Sequence, residues 1–216
     1  MQSTPTYDLI ETLRWSEVEG FYLLERHLDR LTASADKLGF KCARSKALDG
    51  LNQAVSGFTS PVERVRLLLH RDGTVTLAHT SITLPRPDDI MTFALSDKTT
   101  DSRDHLYQHK TTRRELYDRE RVRLQKLTQC DEAVFTNERG EITEGSIMTI
   151  FLQYKDVLKT PPVSCGVLPG TLRAELLDDT TRRVEEAVLT LSDLASADKV
   201  FLGNSVRGLM QAQQVL

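Results

Sequence analysis

Cysteine is scarce in this chain. Cys42, Cys130 and Cys165 are odd in number, far apart and outside any Cys-x-x-Cys spacing. That pattern excludes a disulfide frame and a zinc site, and reads as free thiols in a reducing cytoplasm. Long apolar runs are also missing: none approaches the roughly 18 residues that a membrane span needs. The start, Met1 to Asp8, is polar and has no apolar signal-peptide core. Neither sign of charge dominates. Lys and Arg number 28 against 31 Asp and Glu, a net charge of -3, which argues against a general nucleic-acid binder. No Gly-x-Gly-x-x-Gly or P-loop sequence marks a dinucleotide or nucleotide site, and no serine stands in a Gly-x-Ser-x-Gly elbow. Internal repeats and low-complexity segments are absent.

What is present is ordinary globular material. A chain of 216 residues can bury a core as one large domain or two small lobes. Residues 7–15 and 21–24 read as strands joined by a turn at Glu19-Gly20. Leu24, Leu28, Leu31, Ala35 and Leu38 recur at helical spacing and predict a helix over 25–38, stopped by Gly39. A weaker helix is expected over 46–55, and a hairpin over 62–70 and 74–79 turns at Asp72-Gly73. A strand over 90–95 precedes a polar, aspartate-rich stretch, 96–112, that reads as a connection. Beyond it the expectation is a charged helix over 113–127, then strands over 132–135, 147–152 and 157–159 with a turn at 137–140. Pro161-Pro162 ends that block. A short helix over 170–177 follows, then strands over 184–189 and 199–202. The fold class is α+β with antiparallel hairpins in two lobes: 1–98, a connection over 99–112, and 113–216.

Several residues could carry chemistry. Pro169-Gly170-Thr171 opens an apolar run, so Gly170, Thr171 and Leu172 would present backbone N–H groups at a helix N-terminus, where a phosphate can sit. Lys110, next to Arg113 and Arg114, has nearby cations to lower its pKa for amine chemistry; on spacing alone a solvated helix start is the commoner reading. Glu144 enters an apolar strand, where a carboxylate needs a partner, although an ordinary turn carboxylate fits as well. Arg30 lies near the apolar face of its helix and can reach a phosphate, or simply snorkel. Asn204-Ser205 follows a buried strand and offers either a second phosphate wall or a turn. His105 and His109 lack a third ligand, so no metal site is expected. Cys165 reads as a packed thiol. A phosphate cradle, an amine and an acid for a ring nitrogen are together what pyridoxal phosphate requires.

Taken in order, Asp8–Trp15, Leu23–Leu31, His109–Arg113, Asn137–Ser146, Thr160–Arg173 and Phe201–Gly208 resemble the fold-type IV (class IV) pyridoxal-phosphate aminotransferases and lyases. Within that family the likeness is strongest to 4-amino-4-deoxychorismate lyases, in the form fused to aminodeoxychorismate synthase. The resemblance covers nearly the whole chain. It implies a two-lobed, D-amino-acid-aminotransferase-like α+β fold working as a cytoplasmic homodimer, with pyridoxal 5'-phosphate in the cleft. It implies that Lys110 is the Schiff-base lysine, Arg30 a phosphate ligand and Glu144 the partner of the pyridine nitrogen. Gly170, Thr171 and Leu172 would give phosphate-binding amides, and Asn204 and Ser205 a second phosphate-binding stretch. Arg14 or Arg207 would take a substrate carboxylate. The first strand begins close to Met1, as in fused lyase domains. Met148-Thr149 stands where the family usually presents an asparagine.

The resemblance further implies conversion of 4-amino-4-deoxychorismate to 4-aminobenzoate and pyruvate, a step of folate synthesis, with a synthase subunit as a possible partner. The alternatives are an amino-acid aminotransferase of the same fold, of branched-chain or D-amino-acid type, and a non-catalytic protein that keeps the fold.

Overall fold

The computed structural model describes residues 7–215; the polar start read at Met1–Asp8 lies, up to residue 6, outside them. The fold is α+β, as expected. The chain divides into two compact units, one running to Leu84 and taking in His109–Arg113, the other comprising Pro85–Gln108 and Arg114 onward.

The first unit is a four-stranded antiparallel sheet, order β2-β1-β3-β4, with two helices on one face. Its elements are β1 (Leu9–Ser16), β2 (Gly20–Phe21), α1 (Leu24–Leu38), α2 (Arg44–Ala54), β3 (Val62–Leu69) and β4 (Val75–Ser81). Alternation sets the faces. Leu9, Leu13, Val65, Leu67 and Leu69 share a core with Leu28, Leu31 and Ala35 of α1 and Ala47 and Leu51 of α2. Gly39 takes φ 71°, a conformation that costs glycine little, and its N–H closes α1 on the Ala35 carbonyl.

The second unit is built on an eight-stranded sheet, order β10-β9-β8-β11-β12-β5-β6-β7. The strands are β5 (Met91–Thr100), β6 (Glu132–Asn137), β7 (Ile142–Gly145), β8 (Thr149–Tyr154), β9 (Val157–Thr160), β10 (Arg183–Glu186), β11 (Lys199–Asn204) and β12 (Gly208–Gln214). Helices α3 (Glu115–Thr128), α4 (Thr171–Asp178) and α5 (Leu191–Ser196) complete it. Antiparallel hairpins alone do not describe this sheet: β5 pairs in parallel with both β6 and β12, and β9 with β10.

The expected lobe boundaries shift for a physical reason. β5 belongs to the second unit, because its backbone pairs with β6 and β12. It also runs on through the polar stretch to Thr100. Ser96 there bonds Glu120 of α3, and Asp97 bonds Arg123, so α3 supplies the partners that let polar residues join a strand. His109–Arg113 is part of the first unit, held on β1 by main-chain bonds.

Candidate active site

In the first unit β1 carries Glu11 between Leu9 and Leu13, on the face packed against α1. The carboxylate is 2% exposed, a position that demands partners. One face of α1 supplies two, three residues apart. Arg30 donates Nε–H to Oε1 at 2.9 Å and Nη2–H to Oε2 at 2.6 Å, a fork that fixes the guanidinium plane. His27 Nδ1 lies 2.6 Å from Oε2; a carboxylate only accepts, so Nδ1 carries the hydrogen. Burial would raise the Glu11 carboxyl, but Arg30 and His27 outweigh it and hold the group at about 2. Burial holds His27 below its ordinary 6.5 against the pull of Glu11, and the charges of Arg30 and Lys110 add to that lowering.

Lys110 is stitched to the same strand. Its carbonyl accepts the Ile10 N–H at 2.8 Å, Thr112 N–H donates to the Asp8 carbonyl at 2.9 Å, and Asp8 N–H donates to Thr112 Oγ1 at 2.9 Å. His109 Nδ1 stands 2.9 Å from Ser34 Oγ of α1. The segment read as a connection is therefore fixed at each side of Lys110. Within this unit Lys110 and Arg30 both act on the Glu11–His27 pair, one through charge and one by direct contact.

The second unit holds Glu144 on β7, 7% exposed. Its Oε1 accepts the Tyr117 hydroxyl at 2.8 Å and its Oε2 accepts the Leu168 N–H at 3.2 Å. Burial, helped by the Glu144 charge, pushes the Tyr117 phenol well above its usual value, so it stays a neutral donor. Arg114, just before α3, reaches the Ser146 carbonyl with Nη2 at 2.5 Å and lies over the Tyr117 ring. Behind Glu144, the buried Glu132 accepts Ser146 N–H at 3.0 Å, Ile147 N–H at 3.2 Å and the Ser146 hydroxyl. A second carboxylate thus fixes the turn that follows Glu144.

The segment through Leu168 leads into α4. Gly170 precedes its first residue and, having no side chain, adds no cap of its own. A Cβ on Gly170 would stand 2.9 Å from Thr149 Oγ1, so the backbone passes close to β8 there. Thr171 and Leu172 are buried; the Leu172 side chain packs with Phe151 and Leu176, which leaves only its main chain for binding. At the end of β11, Asn204 Oδ1 accepts N–H bonds from Val206 at 3.0 Å and Arg207 at 2.9 Å, while its Nδ2 donates to the Ile147 carbonyl. Asn204 is thus the brace of a tight turn that presents the buried Ser205. Arg207 is exposed on that turn. Arg14 stacks over Tyr22 at 4.3 Å and pairs with Glu19 at 3.3 Å.

Burial first, then Glu141, pushes the Cys165 thiol up to about 11, so it is protonated at neutral pH and packed rather than nucleophilic. Among the described residues no group of three His, Cys, Asp or Glu could hold a metal, and no helix is long and apolar enough to cross a membrane. Glu11, His27, Tyr117 and Glu132 were not singled out from sequence. Glu11 had a signal: a charged residue at a core-facing position of an alternating strand. Tyr117 and Glu132 had none, since their partners are distant in the chain.

The profile of the family described as amino-transferase class IV matches residues 8–215. The chain belongs to that family. Its members are pyridoxal-phosphate-dependent enzymes, and this chain is one of them. The chain is 42% identical to a Mesorhizobium loti protein provisionally described as an amino-acid aminotransferase, with a TM-score of 0.91 over 97% of this chain and 100% of that one. A Schizosaccharomyces pombe protein provisionally named aminodeoxychorismate lyase is 26% identical over 190 residues, 86% of this chain and 81% of its own. A Legionella pneumophila structure provisionally described as 4-amino-4-deoxychorismate lyase superposes with a TM-score of 0.84 at 22% identity, over 99% of this chain and 88% of its own; at that identity it bears on the fold alone.

The class IV residues present fit pyridoxal phosphate. Glu144 offers a buried carboxylate braced by two donors, the environment that suits a protonated pyridine nitrogen. The N-terminus of α4 and the neighbouring Ser205 turn suit a phosphate.

Proposed function

We propose that this class IV enzyme is a lyase that converts 4-amino-4-deoxychorismate to 4-aminobenzoate and pyruvate. For the cofactor chemistry, the observation that carries the reading is the doubly braced Glu144 carboxylate. For the lyase outcome, it is the similarity along 86% of the chain to the S. pombe protein of that name. Lys110 is the amine that holds the cofactor, Glu144 accepts the pyridine N–H, and Arg30, the amides of Gly170, Thr171 and Leu172, and the Asn204-Ser205 turn serve the phosphate. Bound pyridoxal phosphate supplies an electron sink for the carbanion left when a proton departs from the amine-bearing carbon.

The amine of Lys110 takes that proton as general base. Tyr117 and Leu168 keep the Glu144 carboxylate in one orientation while it holds the ring proton. The C–O bond to the neighbouring enolpyruvyl group breaks, the ring becomes aromatic, and the released enol takes a proton to become pyruvate. No co-reactant is consumed. The chain's part is mainly orientation.

A second reading, an amino-acid aminotransferase, is favoured by the M. loti relative at 42% identity. It uses the same residues and differs only in the fate of the carbanion. A cytoplasmic homodimer with a synthase partner completes the lyase proposal, supported by the free cysteines and the resemblance to fused lyase domains.

Incubating the purified holoenzyme with 4-amino-4-deoxychorismate decides between the two. Release of 4-aminobenzoate and pyruvate with no keto acid added is the expected result. Activity only with a keto-acid acceptor and an amino acid would establish the transaminase, and inertness with both the non-catalytic alternative. Lys110→Ala should lose the yellow, borohydride-bleached absorbance and the covalent mass of the cofactor.

A further inference from the structure

Glu144 is braced in part by a stretch of chain with no helix or strand of its own. The Leu168 N–H that donates to its Oε2 at 3.2 Å belongs to residues 167–170. These lie outside regular structure, between the single helical turn of Val163–Cys165 and α4. A loop amide keeps its aim only where the loop is tied down. The ties come from the turn between β6 and β7, the hairpin that carries Glu144 itself.

Asn137, at the end of β6 and 1% exposed, is the hub. Its Oδ1 accepts the N–H groups of Arg139 at 2.9 Å and Glu141 at 3.1 Å, which shapes the turn. Its Nδ2 donates outward, to Glu141 Oε2 at 2.8 Å and to the Cys165 carbonyl at 3.1 Å. Arg139 makes the matching pair one residue earlier: its Nη2 donates to Glu141 Oε2 at 2.6 Å and to the Ser164 carbonyl at 3.1 Å. Glu141 thus holds both donors in place. The Arg139 bond first, then the Asn137 bond, keep its carboxyl at about 2, so it is an anion at neutral pH.

A further tie comes from Ser102, just past β5. Its N–H and hydroxyl donate to Glu138 at 2.8 and 2.6 Å, and Arg139 Nη1 reaches the same hydroxyl. Gly166 is pressed against Ser102: a Cβ there would stand 2.7 Å from the Ser102 Cα. Residues 164, 165 and 166 are therefore fixed in succession, two residues short of Leu168.

We propose that Asn137, Arg139 and Glu141 are positioning residues, a polar clamp that aims the Leu168 N–H at Glu144. The clamp thereby fixes the carboxylate that faces the ring nitrogen of bound pyridoxal phosphate. The inference rests on the reading of Glu144 as the partner of that nitrogen. With the clamp loosened, Tyr117 still holds one carboxylate oxygen while the other is free to turn, and the hold on the ring proton weakens.

The test uses holoenzyme loaded with pyridoxal phosphate labelled with 15N in the ring, whose NMR resonance separates a protonated from a bare nitrogen. Wild type should show the protonated position, and Glu144→Ala should move the resonance to the bare one. Asn137→Ala should move it part of the way and raise the cofactor dissociation constant about three- to tenfold, a fraction of the loss of a hydrogen bond to a charged group. Near-ultraviolet circular dichroism reports folding. Should Asn137→Ala not fold, Arg139→Met, at a 44% exposed side chain, carries the same expectation with a smaller shift. Added to Glu144→Ala, either substitution should produce no further movement of the resonance. A resonance at the wild-type position in the clamp variants, even with weaker cofactor binding, makes the turn merely structural and overturns the inference while Glu144 keeps its role. A resonance unmoved by Glu144→Ala removes the reading of Glu144, and the clamp falls with it.

Discussion

Glu11 grips Arg30 by a two-pronged bond, Nε to Oε1 at 2.9 Å and Nη2 to Oε2 at 2.6 Å, with the carboxylate almost wholly buried. An arginine so held is not a loose surface cation. Its plane is set by the fold, and two of its N–H groups are spent on the protein itself.

That pairing sets the acid stability of the first unit. The Glu11 carboxyl stands at about 2 when folded against an ordinary 4.5. At about 1.4 kcal/mol per tenfold step in proton affinity, this contributes on the order of 3 kcal/mol. The contribution is fully present above pH 4.5 and is lost as the pH falls towards 2. His27 acts in the same direction: its lowered value means the unfolded chain binds a proton first, so stability also falls as the pH drops below 6.5. Urea unfolding across pH should show Glu11→Gln less stable than wild type at neutral pH. The gap should narrow between pH 4.5 and 2; a gap that stays constant there would assign the loss to packing.

Tyr117→Phe removes only the hydroxyl that donates to Glu144 Oε1. The ring contacts with Phe135 and Tyr107 remain. A hydrogen bond to a charged group is worth about 1.5–3 kcal/mol, so cofactor dissociation should rise about tenfold or more in an absorbance titration. An unchanged dissociation constant would mean that Glu144 holds its orientation without Tyr117.

Glu132 bonds the turn after Glu144 through two amides and a hydroxyl, with Ala133 N–H a further donor at 2.9 Å. Glu132→Ala orphans several buried donors and should cost at least about 3 kcal/mol, whereas Glu132→Gln keeps an acceptor and should cost less. Burial raises this carboxyl despite those bonds, so the folded state takes up its proton before the unfolded chain does. Its contribution therefore grows as the pH falls through the raised folded value towards 4.5, opposite in sign to Glu11. Wild type and Glu132→Gln compared by denaturation across pH 4.5–7 should show that slope; the same slope in both would remove Glu132 as its source.

Gly170→Ala places a Cβ 2.9 Å from Thr149 Oγ1, a contact that must shift either the start of α4 or β8. Cofactor affinity and stability should both drop. Adding Thr149→Ala removes the clashing oxygen and should restore most of the loss. Failure of that second substitution to rescue would place the defect in the Gly170 backbone itself.

The sequence by itself determined the local elements wherever one periodicity ran unopposed. α1 emerged from its leucine spacing and Gly39 stop, and the β3–β4 hairpin from Asp72-Gly73, because both obey interactions within a few residues. Motif order singled out Lys110, Arg30, Glu144, Gly170 and Asn204 only as candidates. The tertiary structure alone decided the rest. β7 and β12 are strands because β6, β11 and β5 pair with them, and β5 keeps its polar half because Arg123 and Glu120 meet it from α3. The partners of the buried carboxylates are equally non-local: Glu11 finds Arg30 across 19 residues, Glu144 finds Tyr117 across 27, and Glu132 finds Ser146 across 14. A buried charge needs partners, but a one-dimensional pattern does not say which; only the packing of strands and helices brings particular candidates within hydrogen-bonding distance.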